Sequence, residues 1–146
     1  MVKAHAARLL SKYSLLPDST VAVSYRGTDM GTDGRRAVPL SSFLQVVGTL
    51  DDRYPAYKVW VQTDDAYAKD ALRSKYPKAT YIDDFNTSYR KDTFADADSP
   101  KSGYERGLDV AAMILMLSRC KVLVNNGGNL VAIASHLSEG EVIDMV

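Results

Sequence analysis

The sequence predicts a doubly wound α/β fold, a sheet of about five mainly parallel strands with helices on both faces. Strand-like apolar stretches alternate with helix-like stretches from one end of the chain to the other. Each connection between successive strands is also long enough to hold a helix, as parallel pairing requires. The length of 146 residues fits a single domain, 1–146, with one sizeable core.

The first half of the chain supplies three helices and three strands. An amphipathic helix carrying Leu9 and Leu10 ends before Pro17. The next helix spaces Leu40, Phe43, Leu44, Val47 and Leu50 along one face. The third has acidic residues in its first turn and is stopped by Pro77. The predicted strands are STVAVSY, YKVWVQ and the short ATYI.

The second half continues the alternation after one irregular stretch. Residues Asp83 to Gly103 show no periodicity, and a loop of that length is a functional lid or a disordered segment. A long and mostly buried helix, YERGLDVAAMILMLSRC, comes next. The strand KVLV, the helix NLVAIASHLSEG and the strand EVIDMV complete the chain.

Composition excludes several classes of function. Lys and Arg total 18, as do Asp and Glu, so the basic surplus of a general nucleic-acid binder is absent. No stretch approaches the roughly 18 apolar residues of a membrane span, and we expect a cytoplasmic protein without membrane contact. The single cysteine, Cys120, excludes an intrachain disulfide and is expected to be a buried packing residue. His5 and His136 lack metal-ligand spacing, so we expect no structural metal and no cofactor.

Polar residues follow three of the predicted strands, at the edge where doubly wound folds bind ligands. These stretches are RGTDMGTDGR, TDD and NNGGN. Each also has a purely structural interpretation, because Gly27, Thr28 and Asp29 are turn formers and Asp64 or Asp65 is a candidate helix cap. The functional interpretation is that Gly127 and Gly128 let backbone N–H groups approach an anion.

Arg26 is the residue hardest to explain structurally. A guanidinium at the end of a buried strand needs an anionic partner, and its planar fork suits a diphosphate. The chain contains neither GxxxxGK[ST] nor GxGxxG, so the site is neither a Walker-type loop nor a dinucleotide fingerprint.

Three stretches, VAVSYRGTD, VWVQTDDAYAKDALRSKYP and LSRCKVLVNNGGNLVAIASHL, resemble the donor-site motifs of the α1,6-/nodulation/protein-O-fucosyltransferase superfamily. The resemblance runs from Val21 to about Leu137 and keeps the order and spacing of all three motifs. It implies an inverting, metal-independent glycosyltransferase of the two-domain GT-B architecture. The chain would correspond to the Rossmann-like C-terminal half of that architecture, which binds GDP-fucose or a related nucleotide sugar.

The resemblance also implies roles for individual residues. Arg26 matches the arginine that holds the donor β-phosphate, and Asp33 lies near a carboxylate proposed as general base in some members, so these two are the catalytic candidates. Asp64 matches the residue that binds guanine. Glu105 and Asp109 match acidic positions that either shape the nucleoside pocket or cap the helix. The substrate-binding candidates are Ser24, Arg26, Gly27, Thr28, Asp29, Thr63, Asp64, Asp65, Asn125, Asn126, Gly127, Gly128 and Asn129.

The chain departs from the family pattern in four respects. Ser24 stands where a base-holding histidine is usual, and Met30 stands where a lysine is common. The third loop is Asn/Gly-rich rather than Ser-rich. Only about two dozen residues precede the first motif, so the acceptor domain is expected to be absent and the glycan or protein acceptor stays unknown.

Three hypotheses follow from these observations. The first is a fucosyltransferase-like donor domain, as a fragment or as a stand-alone unit. The second is a module that binds a nucleotide or nucleotide sugar without transferring it. The third is an unrelated flavodoxin-like domain whose aspartates hold a divalent metal.

Overall fold

The computed structural model describes residues 1–27, 38–89 and 99–145. Its helices are α1 (Val2–Lys12), α2 (Leu40–Arg53), α3 (Ala66–Lys75), α4 (Gly103–Arg119) and α5 (Asn129–Leu137). Its strands are β1 (Thr20–Tyr25), β2 (Lys58–Thr63), β3 (Thr80–Tyr81), β4 (Val122–Asn125) and β5 (Glu141–Asp144). These elements confirm the alternation predicted from the sequence.

The strands form one five-stranded sheet in the order β3-β2-β1-β4-β5, and every pairing is parallel. The predicted doubly wound, Rossmann-like fold class is therefore confirmed. A flavodoxin-like sheet has the order 2-1-3-4-5, so the third hypothesis is wrong at the level of the fold. The order reverses between β1 and β4, and ligands of such folds bind beyond the carboxyl ends of the strands at this point.

Successive residues of the strands face opposite sides of the sheet, and this alternation builds two cores. Ala22, Trp60 and Leu123 pack with residues of α1, α4 and α5 on one face. Val23 and Val61 pack with residues of α2 and α3 on the other. The central strand β1 is buried along its whole length, which explains why its sequence is almost continuously apolar.

Part of the irregular stretch Asp83–Gly103 is ordered by contacts with α3. Ser88 pairs with Asp65 in an isolated parallel bridge, with hydrogen bonds of 2.9 Å from the Ser88 N–H to the Asp64 carbonyl and from the Ala66 N–H to the Ser88 carbonyl. Residues 90–98 lie outside the described part of the chain, so the choice between a lid and a disordered segment stays open.

Two smaller expectations also concern the described residues. Cys120 is 2% exposed, as predicted for a packing residue, and burial raises the pKa of its thiol to about 12. Within the described ranges, no helix is both long and apolar enough to cross a lipid bilayer.

Candidate functional site

A cleft of about 180 Å³ opens at the carboxyl ends of β1, β2 and β4, on the side of α4 and α5. It brings together residues from all three of the polar stretches singled out in the sequence. The sequence-predicted residues that line it are Ser24, Arg26, Thr63, Asp64, Gly127 and Gly128. The cleft lies where the strand order reverses, as expected for this fold.

The backbone of Arg26 is fixed by the side chain of Asn126. The Arg26 N–H donates to Asn126 Oδ1 at 2.8 Å, and Asn126 Nδ2 donates to the Arg26 carbonyl at 2.9 Å. Asn126 is fully buried, and its amide continues the hydrogen bonding between β1 and β4 by one further residue. Both polar ends of this side chain are therefore used in positioning Arg26.

The side chain of Arg26 lies against Gly128. Gly128 has a φ of +107°, and a Cβ at this position would stand 2.8 Å from Arg26 Cδ. Only glycine combines this backbone conformation with such a close approach. Gly128 is also the N-cap of α5, and no side chain caps that end of the helix. The guanidinium thus lies beside a helix N-terminus, whose N–H groups and dipole favour an anion.

The two asparagines that precede this turn, Asn125 and Asn126, are structural. Asn125 Oδ1 accepts from the Gly127 N–H at 2.9 Å, and Asn125 Nδ2 donates to Asp144 on β5 at 2.5 Å. Asn129 is an exposed residue of the first turn of α5 and does not line the cleft. We therefore assign Asn125 and Asn126 to the scaffold of the predicted anion loop.

Asp64 and Asp65 have different structural roles, and of the two candidate caps only Asp65 caps α3. Asp65 is 1% exposed and caps α3, because its Oδ1 accepts from the Ala68 N–H at 3.1 Å. A Cβ on Gly27 would collide with the Asp65 carboxylate, so a glycine is required here. Asp65 therefore belongs to the scaffold, outside the lining of the cleft.

Asp64 lies at the cleft and holds the turn after β1. Its Oδ1 accepts from the Gly27 N–H at 3.0 Å. Burial and the charge of Asp64 together raise the pKa of Tyr25. An ionised carboxylate can only accept hydrogen bonds, so Asp64 places an acceptor group at the cleft.

Thr28, Asp29 and Asp33, predicted from the first motif, fall in the range 28–37, outside the described residues. So does Met30, the position where a lysine is common. The roles of these residues stay predictions.

Sequence reasoning considered only Glu105 and Asp109 of α4 for the cleft and missed the other α4 residues that line it. This helix runs antiparallel to the strands, so its first turns reach the carboxyl edge of the sheet. Arg106 lines the cleft and donates from Nη1 to the Lys101 carbonyl at 2.6 Å. The apolar wall of the cleft is formed by Val110 and Met113 of α4, by Phe85 after β3, and by Leu130 and Val131 of α5. The signal was present in the helical spacing of Arg106, Val110 and Met113, but the sequence alone did not show which face would meet the cleft.

Glu105 and Asp109 also separate into two roles. Glu105 forms a capping box with Ser102, and its hydrogen bonds to Ser102 lower the pKa of its carboxyl. Asp109 lines the cleft and is 7% exposed. It accepts from Lys101 Nζ at 2.5 Å and pairs with His5 Nε2 at 2.8 Å.

No three His, Cys, Asp or Glu side chains come together as a possible metal site within residues 1–27, 38–89 and 99–145. Asp29 and Asp33 fall outside these ranges.

Comparison with known proteins relates the chain to glycosyltransferases at the level of structure. Neither a known family profile nor a curated protein matches the sequence. The structure of NodZ α1,6-fucosyltransferase crystallised with GDP matches 94% of the chain with a TM-score of 0.60 and 17% identity. The E. coli ADP-heptose lipopolysaccharide heptosyltransferase II matches 97% at a TM-score of 0.51 and 12% identity. A family 9 glycosyltransferase from Veillonella parvula matches 98% of the chain with a TM-score of 0.52 and 10% identity.

The chain has the fold of one part of these glycosyltransferases. It spans 41% of the NodZ chain, 37% of the heptosyltransferase and 34% of the Veillonella enzyme. At these identities the likeness establishes the fold, and the ligand has to be argued from the cleft.

Proposed function

We propose that the chain is the donor-binding domain of a glycosyltransferase that uses a GDP-sugar, with GDP-fucose as the first candidate. The observation that carries this proposal is the meeting of Arg26 with the Gly127–Gly128 turn at the N-terminus of α5, inside one cleft. The match to NodZ structures containing GDP and GDP-fucose supports the choice of donor.

The diphosphate would bind between Arg26 and the start of α5. A guanidinium fork offers two parallel donors to phosphate oxygens. The N–H groups of the first turn of α5 offer further donors together with the positive end of the helix dipole. The pairing of Arg26 with Asn126 holds the backbone in place, so little ordering would be needed when the ligand binds.

The base would lie against the apolar wall formed by Phe85, Met113 and their neighbours. Asp64 stands at the same cleft and is an acceptor-only group. The N1–H and N2 amino group of guanine offer two donors on one edge, which adenine does not. This complementarity favours a guanine nucleotide.

Transfer would break the bond between the sugar C1 and the β-phosphate oxygen while an acceptor hydroxyl oxygen attacks C1 from the opposite side. GDP leaves with the bonding electron pair, and Arg26 with the α5 amides would stabilise its developing charge. Asp33 is the candidate that takes the proton of the hydroxyl, on the family resemblance alone. The guanidinium and the positive end of the helix dipole would both offset the charge of the diphosphate, which supports transfer without a metal.

A second candidate is a module that binds a nucleotide sugar without transferring it. It needs only the cleft that the described residues form. An enzyme of the GT-B architecture has its active site between two domains, so the donor domain by itself would keep the binding cleft only.

A thermal-shift screen tests the proposal. The ligands are GDP, GDP-fucose, GDP-mannose, ADP, ADP-heptose and UDP, each with EDTA and again with Mg²⁺. A ligand at 100 times its Kd stabilises the folded state by about 2.7 kcal/mol, which corresponds to a rise in Tm of roughly 5–11 °C for a domain of this size. We expect GDP and GDP-sugars to give this rise equally with EDTA and with Mg²⁺. Equal shifts with ADP would overturn the guanine assignment, and no shift with any ligand would overturn the proposed function.

A further inference from the structure

We propose that Arg106 reads the O6/N7 edge of the guanine base and so selects guanine over adenine nucleotides. The inference rests on the proposed function and adds a specificity residue from the first turns of α4, which lie outside the three sequence motifs.

The position of Arg106 along the cleft is the first observation. Arg26 and Gly128 stand at the ends of β1 and β4, whereas Asp64 follows β2 and Phe85 follows β3. The sheet order therefore places the anion site at one end of the cleft and Phe85 at the other. The apolar wall, which includes Phe85, lies with Arg106 in the same cleft. A nucleoside diphosphate with its phosphates at Arg26 would extend its base past Asp64 toward this wall.

The hydrogen bonding of Arg106 is the second observation. Its Nη1 donates to the Lys101 carbonyl at 2.6 Å, and this bond orients the guanidinium. Among the described residues, no carboxylate forms an ion pair with Arg106. The neighbouring carboxylate, Asp109, is bound by His5 and Lys101 instead. A guanidinium has five N–H donors, so Arg106 retains donors for a ligand in the cleft.

The chemistry of the base completes the argument. Guanine presents two adjacent acceptors, O6 and N7, and arginine is their most frequent bidentate partner. Adenine presents the N7 acceptor beside the N6 amino donor, which would oppose a group that can only donate. Asp64 accepts from the N1–H and N2 edge, so the two residues would address different edges of one base. The contact from Arg106 would take over the role of the base-holding histidine, which is usual in the family at the position of Ser24.

Nucleotide analogues test this assignment by isothermal titration calorimetry. 7-Deaza-GDP lacks the N7 acceptor, whereas inosine diphosphate lacks only the N2 amino group. The proteins are the unmodified chain, Arg106→Met and a control, Arg119→Met, which removes an exposed arginine from the last turn of the same helix. Far-UV circular dichroism melts verify that each variant folds.

We expect the unmodified chain to bind 7-deaza-GDP about tenfold more weakly than GDP, the lower part of the range for one bidentate contact. Arg106→Met should weaken GDP by about tenfold or more and bind GDP and 7-deaza-GDP equally. The loss of affinity from GDP to inosine diphosphate should be the same in the unmodified chain and in Arg106→Met, because the N2 amino group would contact Asp64 and not Arg106. Arg119→Met should behave as the unmodified chain does.

Several results would overturn the assignment. One is an undiminished preference of Arg106→Met for GDP over 7-deaza-GDP, and another is the absence of that preference in the unmodified chain. If Arg106→Met does not fold, Arg106→Ala takes its place, and a full 7-deaza-GDP penalty in that variant would also overturn it. Failure of the unmodified chain to bind any guanine nucleotide would overturn the proposed function itself, so the two failures are distinguishable.

Discussion

At the scale of single residues, the cleft is built by side chains that fix the backbone of a neighbouring strand. Asn126 bonds both polar backbone groups of Arg26, and Asp64 holds the N–H of Gly27. These contacts place the end of β1 without using the guanidinium of Arg26. The arrangement resembles a preformed site. Asn126 would only position the backbone, whereas Asp64 would both hold the turn and contact the ligand.

Gly128→Ala tests the close approach at the start of α5. The new Cβ would stand 2.8 Å from Arg26 Cδ in a backbone conformation that L-residues rarely adopt. We expect a loss of about 1–3 kcal/mol in the free energy of unfolding and a GDP affinity at least about tenfold lower, which is roughly 1.4 kcal/mol. Urea denaturation and calorimetry measure the two effects.

Gly107→Ala is the matched control for this substitution. Gly107 lies within α4, and a Cβ there would meet nothing within 4 Å. Alanine should stabilise the helix by about 0.5–1 kcal/mol and leave GDP binding unchanged. If Gly128→Ala behaved like this control, the position of the Arg26 side chain would not require a residue without a Cβ at position 128.

At the scale of elements, hydrophobic patterning was sufficient to predict the five α-helices and five strands of the described residues, but not the short 3-10 helix Pro17–Ser19. Strands such as β1 are buried on both faces and are therefore continuously apolar, and Pro17 and Pro77 mark where helices cannot continue. The residues of the strand-to-helix turns were predictable because glycine and aspartate there have few other roles. Arg106 was not predictable, since its place depends on how α4 packs against the sheet and no local motif records that packing.

Ser102→Ala tests the start of α4, the element that carries Arg106. The Glu105 N–H donates to Ser102 Oγ at 3.3 Å, and the Ser102 N–H donates to Glu105 Oε2 at 2.8 Å. Losing the cap is expected to cost about 0.5–2 kcal/mol of unfolding free energy in urea. Ser74→Ala, at an exposed position of α3, is the control and should change stability by less than about 0.5 kcal/mol. Equal effects of the two substitutions would contradict the role of the cap.

The stretch after β3 gives a prediction for acid stability. The hydrogen bond from Lys69 to Asp83, joined by one from Arg73, lowers the pKa of the Asp83 carboxyl below its ordinary 3.8. The unfolded chain then binds the proton more readily, so this contribution to stability is present above about pH 4 and is lost as pH falls through the folded pKa.

Asp83→Asn should therefore flatten the dependence of unfolding free energy on pH between about pH 4 and 2. Urea denaturation across this range measures the slope, with Asp52→Asn at an exposed position of α2 as the control. An identical slope in Asp83→Asn and the unmodified chain would show that the Lys69–Asp83 pair has no part in acid stability.

At the scale of the whole molecule, the sheet order explains why residues distant in sequence form one cleft. Arg26 and Asn126 are separated by 100 positions, yet β1 and β4 are neighbours in the sheet. The likeness to parts of three glycosyltransferases extends over nearly the whole chain, although these parts are 34–41% of the proteins compared. The proposed function therefore concerns donor binding alone, and the acceptor would have to be bound by other residues.

We expect the chain by itself to bind GDP-fucose weakly and to transfer fucose poorly. The cleft is open to water along one edge of the sheet, and slow release of free fucose and GDP is therefore the expected reaction. Incubation with GDP-fucose and a mixed pool of glycan and peptide acceptors, followed by separate quantification of GDP and fucosylated product, measures both reactions. Efficient formation of fucosylated product would contradict the expectation that a separate acceptor domain is needed.

The central claim is that Arg26 holds the diphosphate of the donor, and calorimetric titration of GDP into the Arg26 variants tests it most directly. Arg26→Ala should lose about 2–4 kcal/mol of binding free energy, as truncation of a buried charge pair does, with an unchanged melting temperature in the absence of ligand. Arg26→Lys should recover only part of this loss because the planar fork is missing. If both variants bind GDP as tightly as the unmodified chain, Arg26 does not hold the diphosphate and the proposed site is wrong.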